Sequence, residues 1–203
     1  MAAAVRILGI DPGLNHTGWG IIDASAGRTT WVASGVFDIP KGESGETAPR
    51  LACIARELDA VIKAHAPAVA ACERVFVNVN PQSTLLLGQA RGAALCAASL
   101  AGLRVEEFTP SEIKQAVAAT GRADKEMIQT MVERLLALPR RPRTDEADAL
   151  ACALCLASAL KLRAIEKSGG TARTYATARR GAGSSGRGAR SAWAALVERK
   201  KKK

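Results

Sequence analysis

Aromatic residues are scarce: Phe, Trp and Tyr make up 3% of the 203 residues. Apolar residues reach 48%, so a core is available, but Ala, Val, Leu and Ile have to build it. Histidine occurs only at His16 and His65, and no Ser/His/Asp set for nucleophilic catalysis emerges. His65 lies between a helix end and Pro67, a context that predicts the surface. The five cysteines are Cys53, Cys72, Cys96, Cys152 and Cys155. Their odd number and apolar neighbourhoods exclude a disulfide framework. Cys152 and Cys155 form a CxxC, but it lies inside a helical run with no second Cys or His pair to complete a zinc site. Packing is the reading that fits. No apolar run is long enough to span a bilayer. The first residues lack the basic and long apolar regions of a secretory signal. A cytoplasmic protein with no membrane partner is the expectation.

Charge is unevenly spread. The net charge is +10, yet residues 1–160 hold 16 Lys/Arg against 17 Asp/Glu. Residues 161–203 hold 13 against 2. A neutral body with a basic tail points to nucleic acid; a purely solubilising tail is the alternative.

Val5 to Ile10 reads as an apolar strand, broken by Asp11, Pro12 and Gly13. Strands at Thr17–Asp23 and about Thr29–Asp38 follow after short links, which predicts an antiparallel meander. Residues 48–65 carry apolar positions at helix spacing, and Pro67 ends the run. Val69–Val77 is a fourth strand. Asn80 and Pro81 give a helix start, running to about Ala101 before Gly102. Leu103–Phe108 is the fifth strand. Thr109 and Glu112 have capping-box spacing for a short helix to Thr120. Lys125–Leu138 is another helix. Thr144 can cap a last long one, Asp145 to about Arg163. Residues 168–190 are rich in Gly, Ser, Ala and Arg, a composition that predicts disorder; Ser191–Glu198 is a possible short helix. The expectation is an α/β fold: a mixed five-stranded sheet, three antiparallel meander strands then αβ units, with helices on both faces. Residues 1–163 form the domain and 164–203 a basic tail.

Four carboxylates stand out. Asp11 lies where the first strand meets its turn, and Asp before Pro-Gly is also ordinary turn chemistry. Glu73 lies in the otherwise apolar Val-Ala-Ala-Cys-Glu-Arg-Val-Phe-Val. A buried charge is costly unless it is paired or binds a metal. Arg74 is a poor partner, because strand neighbours point to opposite faces. Asp145 and Asp148, three apart, share a helix face. Opposing the helix macrodipole would also explain them, and that alone is enough to account for Glu146. Taken together, the four suit hard divalent cations, which take oxygen ligands. In two-metal phosphodiester cleavage several carboxylates converge on cations about 3.5–4 Å apart. One helps generate hydroxide, and both stabilise the attacking and leaving oxygens.

Four blocks carry a resemblance. They are Ile-Leu-Gly-Ile-Asp-Pro-Gly-Leu with Thr-Gly-Trp-Gly (7–20), Glu-Arg-Val-Phe (73–76), Leu-Gly-Gln-Ala-Arg-Gly (87–92) and Thr-Asp-Glu-Ala-Asp-Ala-Leu-Ala (144–151). In this order, over about residues 1–162, the chain resembles the RuvC family of bacterial Holliday-junction resolvases, within the RNase H-like superfamily. The first block alone is weak; the four together are specific.

The resemblance implies an RNase H-like fold and a homodimer that cuts four-way DNA junctions symmetrically during recombination and repair. It implies Asp11, Glu73, Asp145 and Asp148 as catalytic metal ligands, with two Mg2+ per site and Mn2+ as a substitute. DNA contacts would fall at Phe76, Asn80, Arg91, Lys114 and Lys125. Phe76 would stack on opened bases, unless it is a core residue; Lys114 and Lys125 would meet phosphates, unless they line a solvated helix face. The RuvA–RuvB branch-migration complex is the implied partner. Val79 stands where the family commonly has Lys, and the tail is longer and more basic than the family's usual end. Gly88 and Gly92 lie four apart on one helix; they suit either the family's dimer contact or close packing on the protein's own sheet.

Three rivals differ in class. Another RNase H-like nuclease, acting on hybrid or duplex, would share the carboxylates. An actin-like or sugar-kinase ATPase would need a second half and an adenosine loop, and neither is present. A non-catalytic binding protein would depend on the tail.

Overall fold

The computed structural model describes residues 4–25, 27–41, 46–74 and 80–167. Five strands, β1 (Val5–Asp11), β2 (His16–Ser25), β3 (Arg28–Asp38), β4 (Val69–Glu73) and β5 (Arg104–Phe108), form one sheet in the order β3-β2-β1-β4-β5. β1 pairs antiparallel with β2, and β2 with β3, through a bulge between Ile21 and Ile22. β4 pairs parallel with β1 and with β5. The mixed sheet read from the sequence is the one observed. The helices are α1 (Thr47–His65), α2 (Pro81–Leu100), α3 (Pro110–Ala118), α4 (Lys125–Leu136) and α5 (Thr144–Lys167). The sheet, α1 to α4 and α5 as far as Lys161 lie in one compact unit.

Two cores follow from the pleat, because alternate residues of a strand face opposite sides. Leu8, Ile10, Ile21 and Ala70 pack with α1 and α2, through Ile54, Leu58, Ala90 and Ala94. Ile7, Ile22, Val69 and Ala71 pack with α3, α4 and α5, through Ile113, Val132, Leu150 and Cys152. The central strand β1 is covered on both sides, which explains its nearly continuous apolar sequence. Aliphatic residues and Ala carry both cores, as the scarcity of aromatics requires.

The local signals for α2 and α3 act as read. The Asn80 side chain accepts from the Gln82 and Ser83 amides, and Thr109 and Glu112 form a reciprocal capping box. The start of α5 differs. Thr144 is its first helical residue rather than its cap. The Glu146 carboxylate instead accepts the Arg143 amide at 3.0 Å, satisfying an N–H that has no intrahelical partner. β4 ends at Glu73, four residues before the expected Val77, and residues 75–79 are outside the described set. The residues expected to be disordered (168–190) or helical (191–198) are also outside it. His65, expected at the surface, is half-buried with its ring 5.9 Å from that of Trp19.

Candidate metal and nucleic-acid site

β1 and β4 are parallel and adjacent, with Ile10 beside Cys72. Asp11 and Glu73 therefore follow at neighbouring strand ends. Ligand sites in open α/β sheets lie at such carboxyl ends. Gly9 pairs with Ala71, so Asp11 and Glu73, each two residues further on, emerge on the same face as the α5 core.

Glycine lets α5 lie directly on that face. Gly9 pairs with Gly20, and Asp11 with Gly18. A Cβ on Gly9 would lie 1.9 Å from the Ala149 carbonyl oxygen, and one on Gly18 1.9 Å from that of Asp145. Gly20 faces Leu150. No side chain fits at Gly9 or Gly18, and the first turns of α5 rest on bare backbone. Asp145 is thereby set against the strand residue paired with Asp11. Asp148, one turn on, shares the same helix face. Beyond Asp11 the chain turns tightly: the buried Thr17 hydroxyl donates to the Gly13 carbonyl at 2.8 Å.

The four carboxylates feel one another. Burial, then Asp148, Glu73 and Asp145, push the Asp11 carboxyl from 3.8 up to about 8. Burial and Asp148 raise Glu73. Burial raises Asp148, and Asp145 adds to it. Lys125 pulls all three down again, and Lys114 acts on Glu73 and Asp148. Among the described residues, no ion pair neutralises any of the four.

Such a set fits a hard divalent cation: its oxygen donors have no ion-pair partner among the described residues. Also among the described residues, no three His, Cys, Asp or Glu side chains stand close enough, as placed, to grip one ion.

The expected DNA contacts fall in different settings. Lys125 is exposed at the start of α4, and Lys114 is half-buried on α3. Asn80 is exposed and caps α2. Phe76 and Val79 lie outside the described residues. Arg91 is on α2, beneath the opposite face. Its guanidinium pairs with Glu107 and donates to the Glu73 carbonyl at 3.2 Å, so it is engaged inside the protein. Gly88 and Gly92 do not pack on the sheet, since a Cβ at either would meet nothing within 4 Å. Cys152 and Cys155 are buried, and desolvation raises both thiols, Cys155 to about 12. They are packing residues.

Sequence reasoning passed over Arg140, Arg143, Ser34 and Asp38. Arg140 grips the buried Glu146 with both terminal nitrogens at 2.9 Å, and Ser34 donates to it at 2.7 Å. Burial raises the Glu146 carboxyl, but the bonds from Arg140, Ser34 and Arg143 outweigh it and leave the group below its ordinary value. The only sequence signal was Glu146 standing three residues after Arg143.

Comparison with known proteins agrees with this architecture. The family model described as crossover junction endodeoxyribonuclease RuvC matches residues 7–156. The protein of that description from Burkholderia ambifaria is 53% identical over 169 residues, 83% of this chain and 91% of that one. The structure of Thermus thermophilus RuvC superposes with a TM-score of 0.70 at 30% identity, covering 78% of this chain and 97% of that one. The same protein in complex with a Holliday junction substrate gives 0.72 at 31%, covering 78% and 96%.

Proposed function

The chain belongs to the RuvC family of crossover junction endodeoxyribonucleases, and on that premise we propose that Asp11, Glu73, Asp145 and Asp148 hold two Mg2+ ions, or Mn2+ as a substitute, at the phosphodiester to be cut. The protein is a Holliday junction resolvase, an endonuclease that binds junction DNA. Its chemistry is metal-dependent.

The Asp11 carboxyl carries the assignment. It is pushed to about 8 by burial and by three other carboxylates, an arrangement that costs stability unless cations offset it. Bound there, the cations would lower the pKa of the attacking water and neutralise charge on the phosphate. Asp11 and Glu73, on strand ends, give the site a rigid floor. Asp145 and Asp148 approach it from α5. Lys125 and Lys114, close enough to act on these carboxylates, would meet the negative phosphate backbone. Asn80 and Phe76 remain the proposed contacts to junction DNA. Arg91, proposed with them as a DNA contact, also donates to the Glu73 carbonyl.

The working form is proposed to be a homodimer that makes two symmetric cuts. Leu85, Gly88, Gly92, Cys96 and Leu100 form an exposed stripe along α2, at helix spacing. Leu85 is 64% and Leu100 84% exposed. Two glycines in the stripe allow a second copy of α2 to approach closely. A two-fold axis there would match the two-fold symmetry of the junction. Residues 1–163 would be the nuclease domain, and 164–203 a basic tail that adds non-specific DNA affinity. RuvA and RuvB are the proposed partners in branch migration.

The test is cleavage of a four-way junction, a linear duplex and an RNA–DNA hybrid of matched sequence, with Mg2+. Paired nicks at symmetry-related positions in the junction are expected. Preference for the hybrid would select the other RNase H-like reading.

A further inference from the structure

Between the two metal-binding positions of α5 lies a carboxylate of a different kind. Glu146 is 1% exposed, whereas its neighbours Asp145 and Asp148 are partly open. An acidic residue that only opposes the helix dipole needs no burial. Glu146 is instead held by four hydrogen bonds from three places. Arg140, in the loop before the helix, donates to both oxygens at 2.9 Å. The Arg143 amide donates at 3.0 Å, and the Ser34 hydroxyl, on β3, at 2.7 Å. Ser34 in turn accepts from the Trp31 indole at 2.8 Å.

A second tie runs parallel to the first. Arg143 donates to both oxygens of Asp38 at 2.9 and 3.0 Å, and the His16 ring lies 2.8 Å from the same carboxylate. Ser34 pairs with Gly20, and Asp38 with His16. Both therefore leave β3 on the face that carries Asp11, four residues apart, and both reach the start of α5. The contacts at Gly9 and Gly18 set how closely the helix lies on the sheet, but bare backbone does little to stop rotation. Successive side chains on a helix are about 100° apart. A small rotation of the first turn would swing Asp145 and Asp148 away from Asp11 together.

We propose that Glu146 is a positioning residue: held by Arg140, Ser34 and the Arg143 amide, it fixes the rotation of α5, and so the geometry in which Asp145 and Asp148 present their oxygens to the cations. The Arg143–Asp38 pair is the outer, more exposed part of the same device. The inference rests on the metal-site reading above and adds a residue outside the ligand set.

The test uses the full-length protein and Mg2+ binding measured by calorimetry without DNA, alongside junction cleavage and metal-free melting. Glu146→Gln keeps the shape but loses the charge. Ser34→Ala keeps the charge but loses one tie. Displaced ligands weaken metal binding, and groups that orient ligands typically contribute about ten- to a hundredfold. Glu146→Gln should weaken Mg2+ binding about tenfold and Ser34→Ala about threefold. The metal needed for half-maximal cleavage should rise in step, with KM for the junction unchanged. A role in stability alone would lower the melting temperature and leave Mg2+ affinity intact well below it. Asp145→Asn is the control. If Asp145→Asn loses Mg2+ binding while Glu146→Gln and Ser34→Ala keep it, the positioning role is wrong. If Asp145→Asn binds Mg2+ as the native protein does, the site reading itself has failed. Should Glu146→Gln not fold, Ser34→Ala and the exposed Arg143→Gln decide alone.

Discussion

Glycine serves opposite purposes in two parts of this molecule. Gly9 and Gly18, in the strands under α5, face inward, and a side chain there would strike helix backbone at 1.9 Å. Gly88 and Gly92, on α2, face outward into open space. The first pair brings a helix of the same chain against the sheet and sets two carboxylates beside Asp11. The second leaves a helix face bare, the face proposed for a second copy of the chain. The sequence shows glycine in both places; only the fold separates glycine that builds a site from glycine that leaves a surface. One substitution type should therefore act with opposite sign in the two regions.

The largest effect is expected at Gly18→Ala. The added methyl must push the first turn of α5 outward. Overpacking of this kind costs about 1–3 kcal/mol, and a displacement near 1 Å of catalytic groups costs about a hundredfold in rate. Denaturant melts and junction cleavage would measure both. Native stability and native rate in Gly18→Ala would mean that α5 does not rest on this strand.

Next in size is a pH effect confined to the carboxylate region. The folded Asp11 carboxyl sits at about 8 against an ordinary 3.8, so folding favours its protonated form. Its contribution to stability is complete below about 4 and is lost as pH rises through about 8. Metal-free protein should weaken across that window. Asp11→Asn should reduce the slope, Glu73 and Asp148 keeping part of it, and saturating Mg2+ should offset it, because cation and proton compete for the same oxygens. A flat stability profile for the metal-free protein would count against the electrostatic coupling.

On the other face, Gly92→Leu should disturb association and leave the fold alone. A crowded interface costs about 1–3 kcal/mol, roughly ten- to a hundredfold in dimer dissociation constant. Sedimentation would show a shift toward monomer. An unchanged dimer would place the interface elsewhere.

The smallest effect belongs to Gly92→Ala in the monomer. With nothing near the added methyl and a helix interior around it, stability should rise by about 0.5–1 kcal/mol. A loss of stability would mean that this face is packed.

Much of this was legible in advance. The meander followed by αβ units gave the mixed sheet, because strand period and turn chemistry are local. The start signals of α2 and α3 acted as read for the same reason. Asp11, Asp145 and Asp148 each have an ordinary structural explanation and only Glu73 leans toward function by itself; the four stand out in combination, and the structure places the other three within electrostatic reach of Asp11. What escaped was long-range. Glu146 resembled a first-turn acid because its partner Ser34 is 112 positions away. The pairing of Arg91 with Glu107 becomes visible only once β5 lies beneath α2. Gly88 and Gly92 could face either way until the helix was docked. Residue type favours Thr144 as a cap, but the Glu146 carboxylate reaches back to the Arg143 amide at the helix start.

The most direct test of the central claim is Asp11→Asn, assayed for binding and cutting of a four-way junction with Mg2+. Asp11 lies where β1 and β4 deliver their carboxylates and where α5 delivers two more, so the amide should end metal-dependent cleavage and leave junction binding in place. Cleavage at the native rate would contradict the assignment of these four carboxylates.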